Sequence, residues 1–349
     1  MFLRNTYPDL LEKSRRAVAP LLGVSMDEVV FVPNATTGVN TVIRNLVYQK
    51  GDVIVHFSTA YGACEKTIDS LCETEHIERV SVKIDYPVED EDIISKFKSV
   101  VQDLKNDGKT IKLAMFDTVL NFPGARFPWE EMVETCKTLQ ILSLIDGAHG
   151  VGHVDLTHLG RVGPDFFTSN CYKYQPLSQG ESVSGGDKVF GELFKKVSTV
   201  DPKPYVCVEE ALKFRELTCG GEAAIREYCE HIAQAGGKRM AEIMVVTEGP
   251  ASYDTRVGPA QEQDVASSQA NNKISYIRET DATEIVKWMT ERSIKDYETM
   301  IPVKFYGGEI WCRISGQIYL ELQDFEWAAY RLEEMCKRVS NGEFKAAIV

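Results

Sequence analysis

The first half of the chain alternates short apolar runs with segments whose apolar residues recur at helical spacing. The helical segments lie at residues 39–47 and 129–139. The apolar runs predict strands at residues 28–32, 52–57, 80–84, 112–116 and 141–145. Strands and helices that alternate in this way are typical of an α/β fold with a mostly parallel sheet. The run at 141–145 is apolar throughout, which favours a position at the centre of that sheet.

The pattern changes after residue 173. Residues 175–187 are rich in Ser, Gly and Gln, and residues 249–272 are polar with little periodicity, so both segments predict loops. Helical period returns at 209–215, 223–244 and 324–339, and strand pattern at 309–314 and 318–320. We therefore expect a large domain at residues 1–205 and a smaller α+β domain at residues 206–349.

Composition and charge narrow the class of protein. The chain has 349 residues, 44% of them hydrophobic, which suffices for one large core or two smaller ones. Its net charge of −13 argues against nucleic acid or an anionic membrane as a partner. No apolar run is long enough for a membrane span, and the first residues lack a signal-peptide core, so we expect a cytoplasmic protein. The cysteines are scattered without a Cys-x-x-Cys pair, which favours reduced thiols over disulfides or a metal site.

Two apolar segments end in residues that suit one cofactor. Asp146 follows the run at 141–145, and Lys173 ends a stretch that begins near Phe166 and Phe167. Such an acid protonates the pyridine nitrogen of pyridoxal 5′-phosphate (PLP), and a lysine in an apolar setting holds its aldehyde as a Schiff base. This order predicts PLP chemistry on an amino acid or amine. The alternatives are a helix N-cap for Asp146 and a solvent-facing side chain for Lys173.

Residues 34–38, Asn-Ala-Thr-Thr-Gly, connect a predicted strand to a predicted helix. Small residues there let backbone N–H groups face an anion, and the helix dipole favours a phosphate. In the functional interpretation Thr36 and Thr37 donate to the PLP phosphate. The alternative is an ordinary strand-to-helix turn capped by Asn or Thr.

Three further side chains suit the same site. Tyr61 follows a predicted strand, where its ring would stack on a flat cofactor or else belong to the core. His149 would hydrogen-bond the cofactor phenolate or else cap a turn. Arg313 lies on an otherwise apolar strand, so it predicts either a bidentate pair with a substrate carboxylate or an internal salt bridge.

Taken together, these motifs resemble the class V aminotransferases of PLP fold type I. The resemblance is to the fungal, isopenicillin N epimerase-like branch, which includes hercynylcysteine sulfoxide lyase and the loline-pathway PLP enzyme. It implies a large domain with a mostly parallel, seven-stranded type of sheet flanked by helices, followed by the smaller domain. The segments that carry it are residues 31–45, 61–64, 122–128, 145–150, 165–173, 205–215, 219–222 and 313–327.

The resemblance also implies a role for each position. Lys173 would hold the cofactor, Asp146 would pair with the pyridine nitrogen, and His149 would approach the phenolic oxygen. The phosphate would be held by Thr36, Thr37 and Tyr172, with Ser198 and Thr199 reaching it from a neighbouring subunit, which implies a homodimer. Tyr61 would stack on the ring, Asn121 would approach the phenolate or the substrate, and Arg313 would bind the substrate carboxylate.

The chain departs from the family pattern around the lysine. His usually precedes this lysine and Trp follows it, whereas Tyr172 and Tyr174 stand here. The pattern of residues 175–197 lacks the glycine-rich strand and loop expected next, and we expect the N-terminal segment that often reaches the active site to be missing as well. The alternatives are that the enzyme has lost parts of its substrate cover or that the sequence is incomplete. These departures leave the PLP prediction in place and bear on the substrate.

A substrate carbanion at Cα predicts several outcomes. In the favoured one a leaving group departs from Cβ, which is C–S lysis, with Tyr61 as proton donor to the leaving sulfur. Alternatives are bond formation or cyclisation of loline type, and epimerisation. A different class of function is a PLP-fold scaffold that has lost catalysis.

Overall fold

The computed structural model describes residues 6–171, 181–184, 203–244, 279–306 and 309–346. These residues form two compact units. The first comprises Met1–Asn121 and Arg126–Arg226, and the second comprises Phe122–Ala125 and Glu227–Val349. The predicted loop at 249–272, and the predicted site residues Tyr172, Lys173, Ser198 and Thr199, lie outside the described residues.

The first unit is built on a seven-stranded sheet in the order β1-β7-β6-β5-β4-β2-β3. β2 pairs in parallel with β3 and β4, and β4, β5 and β6 are parallel neighbours. β7 runs antiparallel between β6 and β1. The strands are β1 (Val29–Val32), β2 (Val53–Phe57), β3 (Glu78–Val82), β4 (Ile111–Asp117), β5 (Leu142–Gly147), β6 (Phe166–Ser169) and β7 (Glu181–Ser184).

Helices cover both faces of this sheet. The helices of the first unit are α1 (Tyr7–Leu22), α2 (Ala35–Asn45), α3 (Gly62–Glu75), α4 (Asp90–Asn106), α5 (Trp129–Leu139), α6 (Leu159–Val162), α7 (Lys203–Val206) and α8 (Val208–Cys219), and α9 (Gly221–Met244) begins in it. On one face, Val39 of α2 and Ile68 of α3 join Met115 and Leu144 of the sheet in a single core cluster. On the other, Phe57 of β2 stacks on Phe97 of α4 with ring centroids 6.0 Å apart.

The second unit has its own apolar core. Its further elements are β8 (Val303–Tyr306), β9 (Glu309–Cys312), α10 (Glu279–Tyr297), α11 (Leu322–Ser340) and α12 (Glu343–Ala346). β8 and β9 pair antiparallel, and Trp288, Ile301 and Leu332 are buried in one cluster. Gly236 of α9 lets Phe325 of α11 approach closely, since a Cβ there would lie 2.4 Å from the Phe325 ring. A mixture of helices with an antiparallel hairpin is the α+β character expected for this part.

The predicted fold class is confirmed, and two local predictions are wrong. Residues 175–187 are not all loop, because β7 occupies Glu181–Ser184 and supplies the strand that the sequence pattern lacked. Residues 318–320 form a turn, where the Leu320 N–H donates to the Gln317 carbonyl at 3.0 Å, and no strand. Their apolar character misled the prediction, since Tyr319 is largely exposed.

The two units divide the chain later than the sequence predicts. The predicted division follows residue 205, whereas the first unit continues to Arg226 in α9. The ring of Tyr205 stacks on Phe31 of β1 with centroids 5.8 Å apart, so the stretch around α7 packs with the first unit. No helix among the described residues is both long enough and apolar enough to cross a bilayer.

The start of the sheet is fixed by a buried arginine. Arg15 of α1 donates from Nε to the Val29 carbonyl at 2.6 Å and from Nη2 to the Met26 carbonyl at 2.9 Å. These bonds give two donors of the buried guanidinium backbone acceptors and hold the beginning of β1 against α1. β1 leads directly into residues 34–38, so the position of that turn depends on this contact.

Candidate active site

Most of the predicted site residues of the first unit stand at one edge of the sheet. β1 to β6 all run in one direction, because β7 is antiparallel to both β6 and β1. Their carboxyl ends therefore share an edge, which is where ligands bind in open parallel sheets. The residues found there are Thr36 and Thr37 after β1, Tyr61 after β2, Asn121 after β4, and Asp146 and His149 at the end of β5.

Asp146 is the buried acid of this edge. Its side chain is 4% exposed, and Asp117, Asp146 and Thr168 are partners in register on β4, β5 and β6. Partners in register project to the same face, two residues beyond Met115 and Leu144, which pack under α2 and α3. The next helix, α6, begins only at Leu159, so the alternative of a helix N-cap for Asp146 is wrong.

Hydrogen bonds from Ala148 and Cys64 hold the Asp146 carboxylate. The Ala148 N–H donates to Oδ1 at 3.0 Å, and the Cys64 thiol donates to Oδ2 at 3.5 Å. Burial, together with the nearby charges of Asp146 and Asp117, raises the pKa of Cys64 far above its usual range. The thiol therefore stays protonated and acts as a donor.

Buried hydroxyl groups accompany the acid. The Thr168 hydroxyl is fully buried beside Asp146 and has no hydrogen-bond partner in the part of the chain that the structure describes. The Thr118 hydroxyl, next to Asp117, is in the same condition among the described residues. An unsatisfied buried hydroxyl is costly, so these groups suit a site that a polar ligand completes.

The turn before α2 is a capped helix start, and it also keeps the features of a phosphate site. Asn34 caps the helix, because its Oδ1 accepts from the Thr37 N–H and from the Thr37 hydroxyl, each at 2.9 Å. The Thr37 hydroxyl is thus engaged in the cap, and it must rotate away from Asn34 to serve a phosphate. Thr36 is half-buried in the first turn. A capped helix start still presents N–H groups and a positive dipole end to an anion.

Tyr61 is not a core residue. It is 47% exposed and stands directly before α3 without a side-chain hydrogen bond to the helix end. Its ring is accessible at the carboxyl edge, which excludes the alternative of a plain core aromatic. An accessible ring at this place suits stacking on a flat ligand.

The remaining predicted residues lie at partly buried positions in loops, or outside the described residues. Asn121 and His149 are both half-buried, in the segments that follow β4 and β5. Arg313 belongs to the second unit, where it directly follows β9 and is half-buried. Its backbone N–H donates to the Pro302 carbonyl at 3.0 Å. Lys173, Tyr172 and Thr199 lie outside the described residues, so their roles stay predictions.

Two residues at this edge carry contacts that the sequence did not assign. Asn170, 2% exposed, accepts from the Ala35 N–H at 3.2 Å and donates from Nδ2 to the Ala148 carbonyl at 3.5 Å. It thereby joins the start of α2 to the loop that follows Asp146. Cys64 contacts Asp146 directly. The sequence signal for Asn170 was a polar residue directly after a buried strand, and the signal for Cys64 was its position three residues after Tyr61, in the first turn of α3.

Comparison with known proteins gives a consistent family. The family model of class V aminotransferases matches residues 3–175. The L-cysteine desulfhydrase-like protein lolT1 of Epichloe uncinata is 31% identical over 96% of this chain and 85% of its own length. Hercynylcysteine sulfoxide lyase of Schizosaccharomyces pombe is 28% identical over 96% of this chain and 86% of its own.

Solved structures show the same fold at low sequence identity. A cystine C–S lyase in complex with cysteine persulfide is similar with a TM-score of 0.71 and 15% identity, over 94% of this chain and 87% of that one. A cysteine desulfurase from Thermococcus onnurineus NA1 is similar with a TM-score of 0.70 and 16% identity, over 95% of this chain and 85% of that one.

The chain belongs to the class V aminotransferase family. Its cofactor is accordingly PLP, as the order of Asp146 and Lys173 predicts. The described side chains fit this group. Asp146 is a buried acid for a pyridine nitrogen, the start of α2 suits a phosphate, Tyr61 offers a ring, and the Thr168 hydroxyl is an unsatisfied donor beside the acid.

We expect Asn170→Ala to separate the start of α2 from the loop after Asp146. The change removes the side-chain partner of the buried Ala35 N–H and of the partly buried Ala148 carbonyl, so it lowers the free energy of unfolding by about 2 kcal/mol. We also expect weaker PLP binding, because Asn170 joins the start of α2, which suits a phosphate, to the loop after Asp146, which suits a pyridine nitrogen. Denaturation with and without PLP measures both effects, since the stabilisation by ligand reports the dissociation constant.

Asn45→Ala is the matched control on the same helix. Asn45 is exposed and donates to the Thr41 carbonyl at 2.7 Å at the far end of α2. We expect a change within about 0.5 kcal/mol and no change in PLP affinity. Equal effects of the two substitutions would contradict the role of Asn170.

Proposed function

We propose that the protein is a PLP-dependent C–S lyase that removes a sulfur leaving group from Cβ of an amino acid. The observation that carries the proposal is the buried Asp146 carboxylate at the carboxyl edge of a class V aminotransferase sheet, with an accessible tyrosine ring before α3. The names of the two full-length relatives, a cysteine desulfhydrase-like protein and a sulfoxide lyase, support this reaction over the others.

The role proposed for Asp146 is to keep the pyridine nitrogen protonated. A carboxylate in a low-dielectric site strongly favours a cation beside it, and the two hydrogen bonds from Ala148 and Cys64 support its charged form. PLP, when bound, supplies an electron sink for the negative charge that develops at Cα. Asp146 thus acts on the strength of that sink without touching the substrate.

Lys173 is proposed to hold the cofactor aldehyde and then to move the Cα proton. It lies four residues beyond the end of β6, whose neighbour on the sheet is β5 with Asp146. A lysine freed from the aldehyde is a general base when its amine is neutral, and an apolar approach favours that form. His149 and Asn121 are proposed to approach the phenolic oxygen, with Asn121 also near the substrate.

Phosphate and carboxylate binding are assigned to residues at chain positions that match the family. Thr36 and Thr37 are proposed to donate from the start of α2, together with Tyr172 and with Thr199 from a second subunit. Arg313 is proposed to bind the substrate carboxylate, because a guanidinium forms a bidentate pair with it. If a second copy of the chain supplies Thr199 to the phosphate site, the protein is a homodimer.

The homodimer and a cytoplasmic location are part of this proposal. Phe214 and Leu217 on α8 are exposed apolar side chains, which supports a partner surface there. All nine cysteines are free thiols, which suits a reducing compartment. Light scattering of the PLP-loaded protein tests the assembly, and a monomer at micromolar concentration would rule out the role of Thr199.

Tyr61 is proposed to stack on the cofactor and to protonate the leaving sulfur. The ring and the hydroxyl are separate functions of one side chain. Since the residue is accessible and its hydroxyl is not engaged at the start of α3, the side chain is available for both.

We expect the wild-type protein to release pyruvate and ammonia from an S-substituted cysteine sulfoxide. Departure of the sulfenic acid leaves an enamine, and water converts it to these products. Lys173→Ala should lower kcat on the order of a thousandfold, because general base catalysis is lost. Lys213→Ala, a surface lysine paired with Glu209 and Glu210, should retain wild-type kcat. A lactate dehydrogenase-coupled assay follows pyruvate.

Three outcomes would overturn the proposal. A PLP-loaded protein that forms no pyruvate from any S-substituted cysteine, but yields a new or cyclised amino acid, would indicate bond formation at the same carbanion. An inverted configuration at Cα without loss of sulfur would indicate epimerisation. A protein that never acquires the visible absorbance of bound PLP would be a scaffold.

We expect Tyr61→Phe to separate stacking from proton donation. The ring is retained, so PLP affinity should stay within twofold, whereas kcat for a thiol or sulfenic acid leaving group should fall by about a hundredfold. β-Chloroalanine, whose chloride needs no proton, should react at the wild-type rate. Tyr319→Phe, at an exposed turn of the second unit, is the control. Equal rates of wild type and Tyr61→Phe on both substrates would contradict the donor role.

A further inference from the structure

Cys64 is the third residue of α3 and is 1% exposed. Its Sγ lies 3.5 Å from Oδ2 of Asp146, 82 positions away along the chain. The same helix begins directly after Tyr61. The start of α3 therefore lies between the ring proposed to stack on the cofactor, on the residue just before the helix, and a thiol in its first turn that contacts the acid proposed to pair with the cofactor.

The thiol is held in its donor form. Burial and the adjacent carboxylates of Asp146 and Asp117 disfavour the thiolate, so the pKa of Cys64 is raised well beyond the working range. A thiol in this state donates one hydrogen bond and is a poor nucleophile. Cys64 is therefore unsuited to accept a sulfur atom from a substrate as a nucleophile, and it is suited to orient a carboxylate.

The two donors fix Asp146 from two sides. The Ala148 N–H comes from the loop after β5, and the thiol comes from α3. A donor on each of the two oxygens fixes the plane of the carboxylate group. The plane of the carboxylate decides whether an oxygen points at a pyridine N–H.

We propose that Cys64 is a positioning residue, which holds the Asp146 carboxylate in the orientation that a pyridine nitrogen requires. The inference rests on the role proposed for Asp146. Its consequence is that α3 couples the Tyr61 ring to the acid, so that the stacking residue and the acid keep a fixed relation.

Packing in the core alone is a different explanation for the buried position of Cys64, and it predicts different effects of substitution. Cys64 also belongs to the core cluster of the α2 and α3 face, with Ile68 and Leu144. A purely packed residue is replaced best by an apolar side chain of similar volume, whereas a donor is replaced best by a hydroxyl. Two matched pairs separate these cases, namely Cys64→Ser against Cys64→Ala, and Cys64→Thr against Cys64→Val.

The test uses the PLP-loaded protein and two readouts besides activity. The PLP dissociation constant is measured by equilibrium dialysis, and the pH midpoint of the visible absorbance of bound PLP is measured by titration. We expect Cys64→Ala and Cys64→Val to raise the dissociation constant about five- to tenfold, as expected for one lost hydrogen bond of ordinary strength. Cys64→Ser and Cys64→Thr should stay within about twofold of wild type.

The pH midpoint should move in the same pairwise way. A misplaced carboxylate holds less positive charge on the pyridine nitrogen. The Schiff-base nitrogen of bound PLP then has a weaker cation near it, so its pKa rises. The midpoint therefore moves upward in the Ala and Val variants and stays at the wild-type value in Ser and Thr. Cys136, fully buried on α5, is the control, and Cys136→Ala and Cys136→Ser should change neither readout.

Asp146→Asn distinguishes failure of this inference from failure of the proposed function. If Asp146→Asn weakens PLP binding and the hydroxyl variants behave like the apolar ones, the role of Cys64 is overturned and that of Asp146 stands. If Asp146→Asn changes neither readout, the assignment of Asp146 falls and takes the inference with it. When both roles hold, Cys64→Ala adds no further loss in the Asp146→Asn background, because the two side chains act through one contact.

Discussion

A carboxylate buried at the end of the central strands is the constraint on which this site depends. Asp146 is removed from water, and a buried charge without partners costs several kcal/mol. The protein offsets that cost with donors from two elements, the loop after β5 and the helix α3. A neighbouring carboxylate, Asp117, stands in register with it and adds to the negative potential. The site is thus arranged to attract a cation, and the protonated pyridine ring of PLP is one.

The rest of the edge is organised around that acid. Asn170 joins the loop after Asp146 to the start of α2, where the phosphate is proposed to bind. Cys64 joins the acid to α3, which starts beside Tyr61. The segments proposed to bind the phosphate, the ring and the pyridine nitrogen are therefore connected directly by hydrogen bonds. Preorganisation of this kind would keep the cofactor in one orientation before a substrate arrives.

The hydrophobic pattern of the sequence predicted the strands and helices whose conformation depends on nearby residues. The apolar run at 141–145 indicated a central strand, and β5 lies between two parallel neighbours. The register that sets Asp117, Asp146 and Thr168 side by side is a property of strand pairing, which a single sequence does not encode locally. β7 was missed because its sequence is polar, while its pairing with β1 and β6 decides its conformation. Asn170 and Cys64 were missed for the same reason, since their partners are far away along the chain.

The identity of the lysine that carries the cofactor decides whether the site is arranged as described. The most direct measurement is reduction of the PLP-loaded protein with borohydride, followed by proteolysis and mass spectrometry of the peptides. The acid at residue 146 and the order of the strands predict a stable pyridoxyl group on the peptide that contains Lys173, at about one per chain. A pyridoxyl group on a different lysine, or none on any peptide of a protein that has bound PLP, would contradict the arrangement described for this site.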